Sequence, residues 1–432
     1  MSDIPITPSP EEQLSQAMNL AIHEFSQNVE GLRAAYRIAR ESTLVEDDKC
    51  FEALKEFLLS NSLGNMNDEK PGYIVPVSPF PAGHWREYNS LALALDKARR
   101  GNIATVRSFL VSLVSVVDIF MASIFRFVFS RTPERLNKKG ALTFEELGDF
   151  DNLDAARSFL MEKEIDSLLR ESRIKQFDWI EQKVGVIFRK NDEIWANVLE
   201  LEQRRHIFVH CDGRVTGEYL RICRSNYVSL PPTLNVGDTL LNLPEYFEHA
   251  CCTALDAGIR IAQVIWRKLL PDDPKADVQF LMFCYHRIVD EEYGVACRAL
   301  WAVFKESLFK LSTQDTEFRC LLNLAQTYKW DGHVDSCNEI LTSRDFSATK
   351  PLFRLGKACL EEKWDDAFRL FEEVGPNSDI KAEDYRNWPI FKQLRERPEF
   401  PAIFERVFGT ALLIANTVEP TNKCRDDAVS EQ

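Results

Sequence analysis

From Leu14 onward, apolar residues recur every three or four positions: Leu14, Met18, Ala21, Ile22, Phe25, Val29 and Leu32. That is the period of one buried helix face, and it predicts a helix from Glu11 to about Arg40 and a second near 46–60. The prolines and glycines of NMNDEKPGYIVPVSPFPAGHWREYN (65–89) then interrupt the pattern and read as a connector. Four helical stretches follow, at about 92–129, 152–186, 192–211 and 243–269. Their length and short joins predict an antiparallel four-helix bundle with one irregular insertion, SLPPTLNVGDTL, before the last helix.

Beyond LLPDDPKAD the rhythm shortens. LLNLAQTYKWDGHVDSCNEIL and PLFRLGKACLEEKWDDAFRLF align at an offset of thirty residues, placing Val334-Asp335-Ser336-Cys337 against Trp364-Asp365-Asp366-Ala367. The spacing resembles tetratricopeptide-type helical hairpins, whose stacked repeats present a concave face to partners. The expected fold is therefore all-α: N-terminal helices and connector (1–90), a bundle (91–270), a helical-repeat-like domain (277–412) and a disordered tail (413–432). The Pro- and Ser-rich residues 1–10 are also expected to be disordered.

FLVSLVSVVDIFMASIF (Phe109–Phe125) approaches membrane-span length. Arg107 and Arg126 flank it, and Asp118 inside it would cost ~2.5–3.5 kcal/mol in hydrocarbon. It reads as a core helix of the bundle, with no membrane partner. The acidic N-terminus lacks an apolar signal core, so the expected location is cytoplasmic. Asp118 needs a partner if buried. It either hydrogen-bonds within the bundle or faces a substrate. The aromatic run Phe125, Phe127, Phe129 reads as packing.

Composition narrows the chemistry. Seventeen glycines in 432 residues, with neither GxxxxGK[ST] nor GxSxG, disfavour glycine-loop nucleotide folds and hydrolase elbows. The eleven cysteines contain no CxxC, so no zinc ribbon is indicated and reduced thiols are expected. No cofactor is called for. The net charge of −14 is unevenly spread: residues 102–270 carry 22 Lys+Arg against 23 Asp+Glu, leaving 31 against 44 elsewhere. The near-neutral segment includes the basic cluster RTPERLNKK (Arg131–Lys139), whereas the acidic flanks suit solubility or a protein partner.

Within that segment, RRHIFVHCDGRV (Arg204–Val215) combines two arginines and two histidines at a helix end, which Asp212-Gly213 terminates. Three readings compete. Cations at a helix C-terminus can merely offset its dipole. His206 and His210, one turn apart, could hold a metal with Asp212 or Cys211 as third ligand. Alternatively, a guanidinium grips a phosphodiester while an imidazole, titrating near pH ~6.5, moves a proton.

Arg205-His206-Ile207-Phe208-Val209-His210 fits the Arg-x(4–6)-His pattern of HEPN domains, with His206 in the polar slot after the arginine. HCDGRVTGEYL and NVGDTLLNLPEYFEHA also resemble the segments that follow the motif in bacterial HEPN proteins. The resemblance covers about 92–270. It implies a metal-independent endoribonuclease of toxin, abortive-infection or antiviral systems, or a member that has lost catalysis and binds RNA or protein. It also implies roles. His210 would assist attack by the ribose 2′-hydroxyl or protonate the leaving group, Arg205 would hold the scissile phosphate, and His206 would orient either. Arg204 is an alternative phosphate ligand, since the permitted spacing covers both. Asp118, read from its place in the apolar helix and not from the resemblance, would face substrate if it points towards this site. No metal is implied. Partners would be RNA, a second copy of the chain, and an antitoxin or regulatory protein at the C-terminal helices. The pairing surface is expected around Ile207 and Phe208 or along the last bundle helix.

Overall fold

The computed structural model describes residues 9–66, 74–77, 80–133, 142–189, 192–240 and 244–412. The expected disorder of 413–432 and of most of 1–10 lies outside these residues, as does most of the basic cluster at 131–139. The fold is all-α. Its one sheet among the described residues is a pair of antiparallel three-residue strands, β1 (Gly64–Met66) and β2 (Ile74–Pro76), in the expected connector.

Helix α1 runs unbroken from Pro10 to Ser60, where two helices were expected. The stretch 41–49, around the join of the two expected helices, is exposed or half-buried. It holds no proline or glycine, so nothing interrupts the backbone hydrogen bonds. Met18, Ile22, Phe25, Val29 and Tyr36 form its buried stripe.

The next elements are α2 (Trp85–Arg131), α3 (Phe144–Leu147), α4 (Leu153–Leu169), α5 (Arg173–Ile180), α6 (Asp192–His210), α7 (Gly217–Ser225) and α8 (Pro244–Leu269). The stretch expected over 152–186 divides into α4 and α5. Helix α7 lies between the last two expected helices. α2 is the one helix among the described residues long and apolar enough to cross a membrane. Leu110, Leu113, Val114, Phe120, Ile124 and Phe125 on it are buried, while Ile119 is exposed.

The chain divides into two compact units. One comprises His23–Met121 and Asp192–Ala254. Here α1, α2 and α8 meet through aromatic rings: Phe25 stacks on Phe120 at 4.3 Å, and Tyr36 contacts Phe247 at 4.3 Å and Phe109 at 5.6 Å. The buried Arg33 guanidinium donates to Glu248 at 2.8 Å, tying α1 to α8. The N-terminal helix is thus part of this core and not an appendage to it.

The other unit comprises Met1–Ile22, Ala122–Asn191 and Leu255–Gln432. Trp179 of α5 packs against Phe125 and Phe129 of α2, which confirms those phenylalanines as packing residues. The hairpins follow: α9 (Lys275–Val289) with α10 (Tyr293–Phe304), α11 (Gln314–Trp330) with α12 (Val334–Thr342), and α13 (Pro351–Leu360) with α14 (Trp364–Val374). The first helices stack in order, α11 touching both α9 and α13. Three short helices close the unit, α15 (Ala382–Asn387), α16 (Lys392–Arg395) and α17 (Phe400–Phe408). The turn at 270–276, read as a domain boundary, is bridged by buried polar contacts: Arg260 of α8 pairs with Glu306 and Arg267 with Asp277.

Candidate active site at the C-terminal end of helix α6

Helix α6 is anchored by Ile194, Val198, Leu201 and Phe208, which recur on one face and are buried. Its last turn carries the motif. Asp212 and Gly213 then take positive φ, 49° and 78°, and reverse the chain. The Gly213 N–H donates to the Ile207 carbonyl at 3.1 Å. The returning strand is pinned to the loop before α8: Val215 N–H donates to Asp238 O (2.8 Å), Gly237 N–H to Val215 O (2.9 Å) and Leu240 N–H to Gly213 O (2.9 Å). The sequence suggested a stop here but gave no sign of its docking.

His206 and His210 are both exposed and lie side by side, ring centroids 4.8 Å apart. Arg205 is one-third exposed and pairs with Glu202 at 3.6 Å. Arg204 turns inward instead. Its guanidinium donates to Glu200 at 2.7 Å and lies 3.7 Å from the Tyr246 ring centre, with 12% of the side chain exposed. Of the two arginines, Arg205 is the one left at the surface, so the phosphate role suggested for Arg204 has no geometry to support it.

Glu200 is the hub of the Arg204 network. Glu200 accepts from Tyr219 at 2.7 Å, from Tyr246 and from Arg204. Burial works against charge on Arg204, yet Tyr246, Glu200 and Tyr219 raise its pKa overall. Burial, and then Glu200, raise that of Tyr219. The adjacent Cys223 thiol is pushed up to about 12, chiefly by burial. Thr216 caps α7 by accepting from the Tyr219 N–H at 3.1 Å, which sets Tyr219 in the first turn facing Glu200. Glu200 and Arg204 are four apart, a helical spacing that could have flagged the pair.

Arg107 of α2 is the residue that sequence reading missed. It donates from Nη1 to Asp212 Oδ1 at 2.8 Å and from Nη2 to the Asp212 carbonyl at 3.1 Å, and its guanidinium lies 5.4 Å from the Phe208 ring. It holds the Asp212 carboxyl below the usual range, with smaller contributions from Arg214 and Arg100. The helix end therefore carries four arginines, of which Arg100, Arg107 and Arg205 are paired with Asp96, Asp212 and Glu202, while Arg214 donates to the Gly237 carbonyl at 3.3 Å.

Asp212, the third ligand of the metal reading, is engaged by Arg107. Among the described residues, no three His, Cys, Asp or Glu side chains are placed to hold a metal ion. Asp118 is half-buried on α2, eleven residues past Arg107, about 16 Å of helix rise away. Ile207 and Phe208 are 0% and 8% exposed, and α8 is almost wholly buried from Ala250 to Trp266. Both surfaces expected to pair two copies are thus consumed by the chain's own packing. The apolar residue the motif leaves exposed is Val209. A scan against protein-family models finds no match to the chain, and searches of curated proteins and of solved structures find none either.

Proposed function

We propose that this chain is a metal-independent endoribonuclease of the HEPN type, acting on RNA at the C-terminal end of α6. The observation that carries the reading is the exposed His206–His210 pair on a helix end that also presents the partly exposed Arg205. In this reading His210 takes the proton from a ribose 2′-hydroxyl as its oxygen attacks phosphorus, or returns one to the departing 5′-oxygen. Arg205 leaves Glu202 for the phosphate and offsets the charge that builds on it. His206 orients the neighbouring imidazole. Arg107 keeps the helix end in shape through Asp212, and Arg214 adds positive charge for the RNA backbone. A toxin or defence role, with an antitoxin or regulator at the hairpins, follows from the same reading.

A second reading, RNA binding without cleavage, is favoured by the Glu202–Arg205 pair, which holds the arginine on its own helix. RNA cleavage assayed in EDTA, for wild type and His210→Ala, separates the two. Cleavage that survives EDTA and falls about 10²-fold or more in His210→Ala supports the nuclease. Binding without cleavage supports the second reading, and cleavage abolished by EDTA rules out the metal-independent mechanism.

A further inference from the structure

The hairpin unit contains a groove of about 640 Å³ between α9, α11, α13 and the segment 384–391. That volume lies in the range of sites for small organic molecules. Its walls are mainly apolar, and α9 leaves Val278 (59% exposed) and Met282 (46%) facing outward at helical spacing along it.

Four polar side chains line these walls without a hydrogen-bonding partner among the described residues: Tyr285 on α9, Arg319 and Asn323 one turn apart on α11, and Trp388 through its indole N–H. Arg319 is the unusual one. Other guanidinium groups of these hairpins are neutralised, Arg354 by Glu373, Arg344 by Glu317 and Arg369 by Asp366. Arg319 is half-buried with its charge 5.9 Å from the Phe353 ring centre and no carboxylate beside it. The acids on its own helix are already used, Asp315 by Lys350 and Glu317 by Arg344. Asp384, across the groove, accepts the Lys381 N–H as a helix cap. A cation held on an apolar wall without a counter-ion selects an anion whose remaining surface is apolar.

We propose that this groove binds a small amphiphilic carboxylate, its acid group on Arg319 and Asn323 and its apolar body along Val278 and Met282. A peptide is the poorer fit. Each peptide residue brings a backbone donor and acceptor that must be satisfied, and four free polar groups on apolar walls cannot serve several residues.

The test uses the full chain, sodium decanoate and decan-1-ol in isothermal titration below the micellar range. Two variants accompany it: Arg319→Met, which keeps an apolar stem without charge, and Val278→Trp, which fills the groove from an exposed position. Both should melt with the wild type. Decanoate should bind at one per chain, about tenfold or more tighter than the alcohol, as expected for a charge-assisted contact. Arg319→Met should erase that preference and Val278→Trp should abolish binding of both. No decanoate binding at millimolar concentration overturns the proposal, as does an acid preference that persists in Arg319→Met. Binding of an apolar peptide with a free C-terminal carboxylate, but not of decanoate, overturns it as well.

Discussion

Arg107 and Asp212 stand 105 residues apart in the chain and are joined by two hydrogen bonds, one to the carboxylate at 2.8 Å and one to the carbonyl at 3.1 Å. The pair fixes the reversal that ends α6, and so fixes the turn from which His210 projects. The arginine serves the motif through the backbone that follows it.

Gly213 makes that approach feasible. At φ +78° an L side chain is strained, and a Cβ there would lie 2.5 Å from Arg107 Nη2. Gly213→Ala should cost about 1–2 kcal/mol from backbone strain alone. It should also displace Arg107 from Asp212. Urea unfolding measures the first effect. Retention of full stability would show that the turn tolerates a different conformation.

The same pair predicts a response to acid. Arg107 depresses the Asp212 pKa, so the folded state holds this proton less tightly than the unfolded chain does. The stabilisation is complete above the ordinary aspartate value near ~4 and is lost as pH falls through the depressed one. A carboxyl ¹³C titration should find Asp212 below the usual range and returned toward it in Arg107→Gln. Identical titrations in the two proteins would remove Arg107 as the cause.

Glu200 accepts from two tyrosines and one arginine in a site only 6% exposed. Glu200→Ala leaves the Arg204 charge buried without its carboxylate and should cost about 3–5 kcal/mol. Tyr219→Phe removes a single hydrogen bond and should cost about 1 kcal/mol. In Glu200→Ala the further Tyr219→Phe change should cost less than it does alone, because the hydroxyl has already lost its acceptor. Additive losses would mean that the three groups act separately.

These residues show where sequence reading reached and where it stopped. Periodicity located α2, α6 and α8, because apolar stripes must be buried wherever a helix packs. It divided α1 in error, since loss of an apolar stripe is no signal of a broken backbone. The motif was legible as a helix end because Asp-Gly favours positive φ. Which arginine faces inward was legible only as far as the i,i+4 spacing of Glu200 and Arg204. Arg204 and Arg205 are adjacent and chemically identical, and the Tyr219 and Tyr246 that complete the Arg204 site become its neighbours only in three dimensions. Arg107 carried no local signal, because a residue 105 positions away becomes a neighbour only through packing.

The hairpins should not be separable from α8. Arg260, 1% exposed, donates to Glu306 and to the Arg298 carbonyl, and Arg267 pairs with Asp277. A chain ending at residue 276 loses both ion pairs and uncovers the apolar face of α8. Arg260 keeps Asp256 of its own helix, so the pair lost in full is Arg267–Asp277, at about 3–5 kcal/mol, and with the uncovered apolar face the loss rivals the whole stability of a typical domain. The truncated chain should therefore lack near-UV circular dichroism and melt without cooperativity. A sharp melt would restore the boundary that the sequence suggested.

If the proposed cleavage occurs, the remaining question is how many chains make one site. In-line displacement at phosphorus places the attacking and leaving oxygens on opposite sides, so a base and an acid must approach from opposite directions. His206 and His210 lie 4.8 Å apart at one helix end and reach a phosphate from the same side. A second copy facing the first would supply the other side, with Val209 the exposed apolar residue nearest the motif. A phosphate between two facing helix ends would draw Arg205 of each from Glu202 and bridge the two, so association should tighten with RNA or sulfate. Neither Arg205→Ala nor His210→Ala should cleave efficiently alone, and mixing the two should recover part of the wild-type rate. Specific activity should also fall on dilution, in step with the dimer fraction measured by sedimentation. Constant activity per chain at concentrations where only monomer sediments would rule out the shared site.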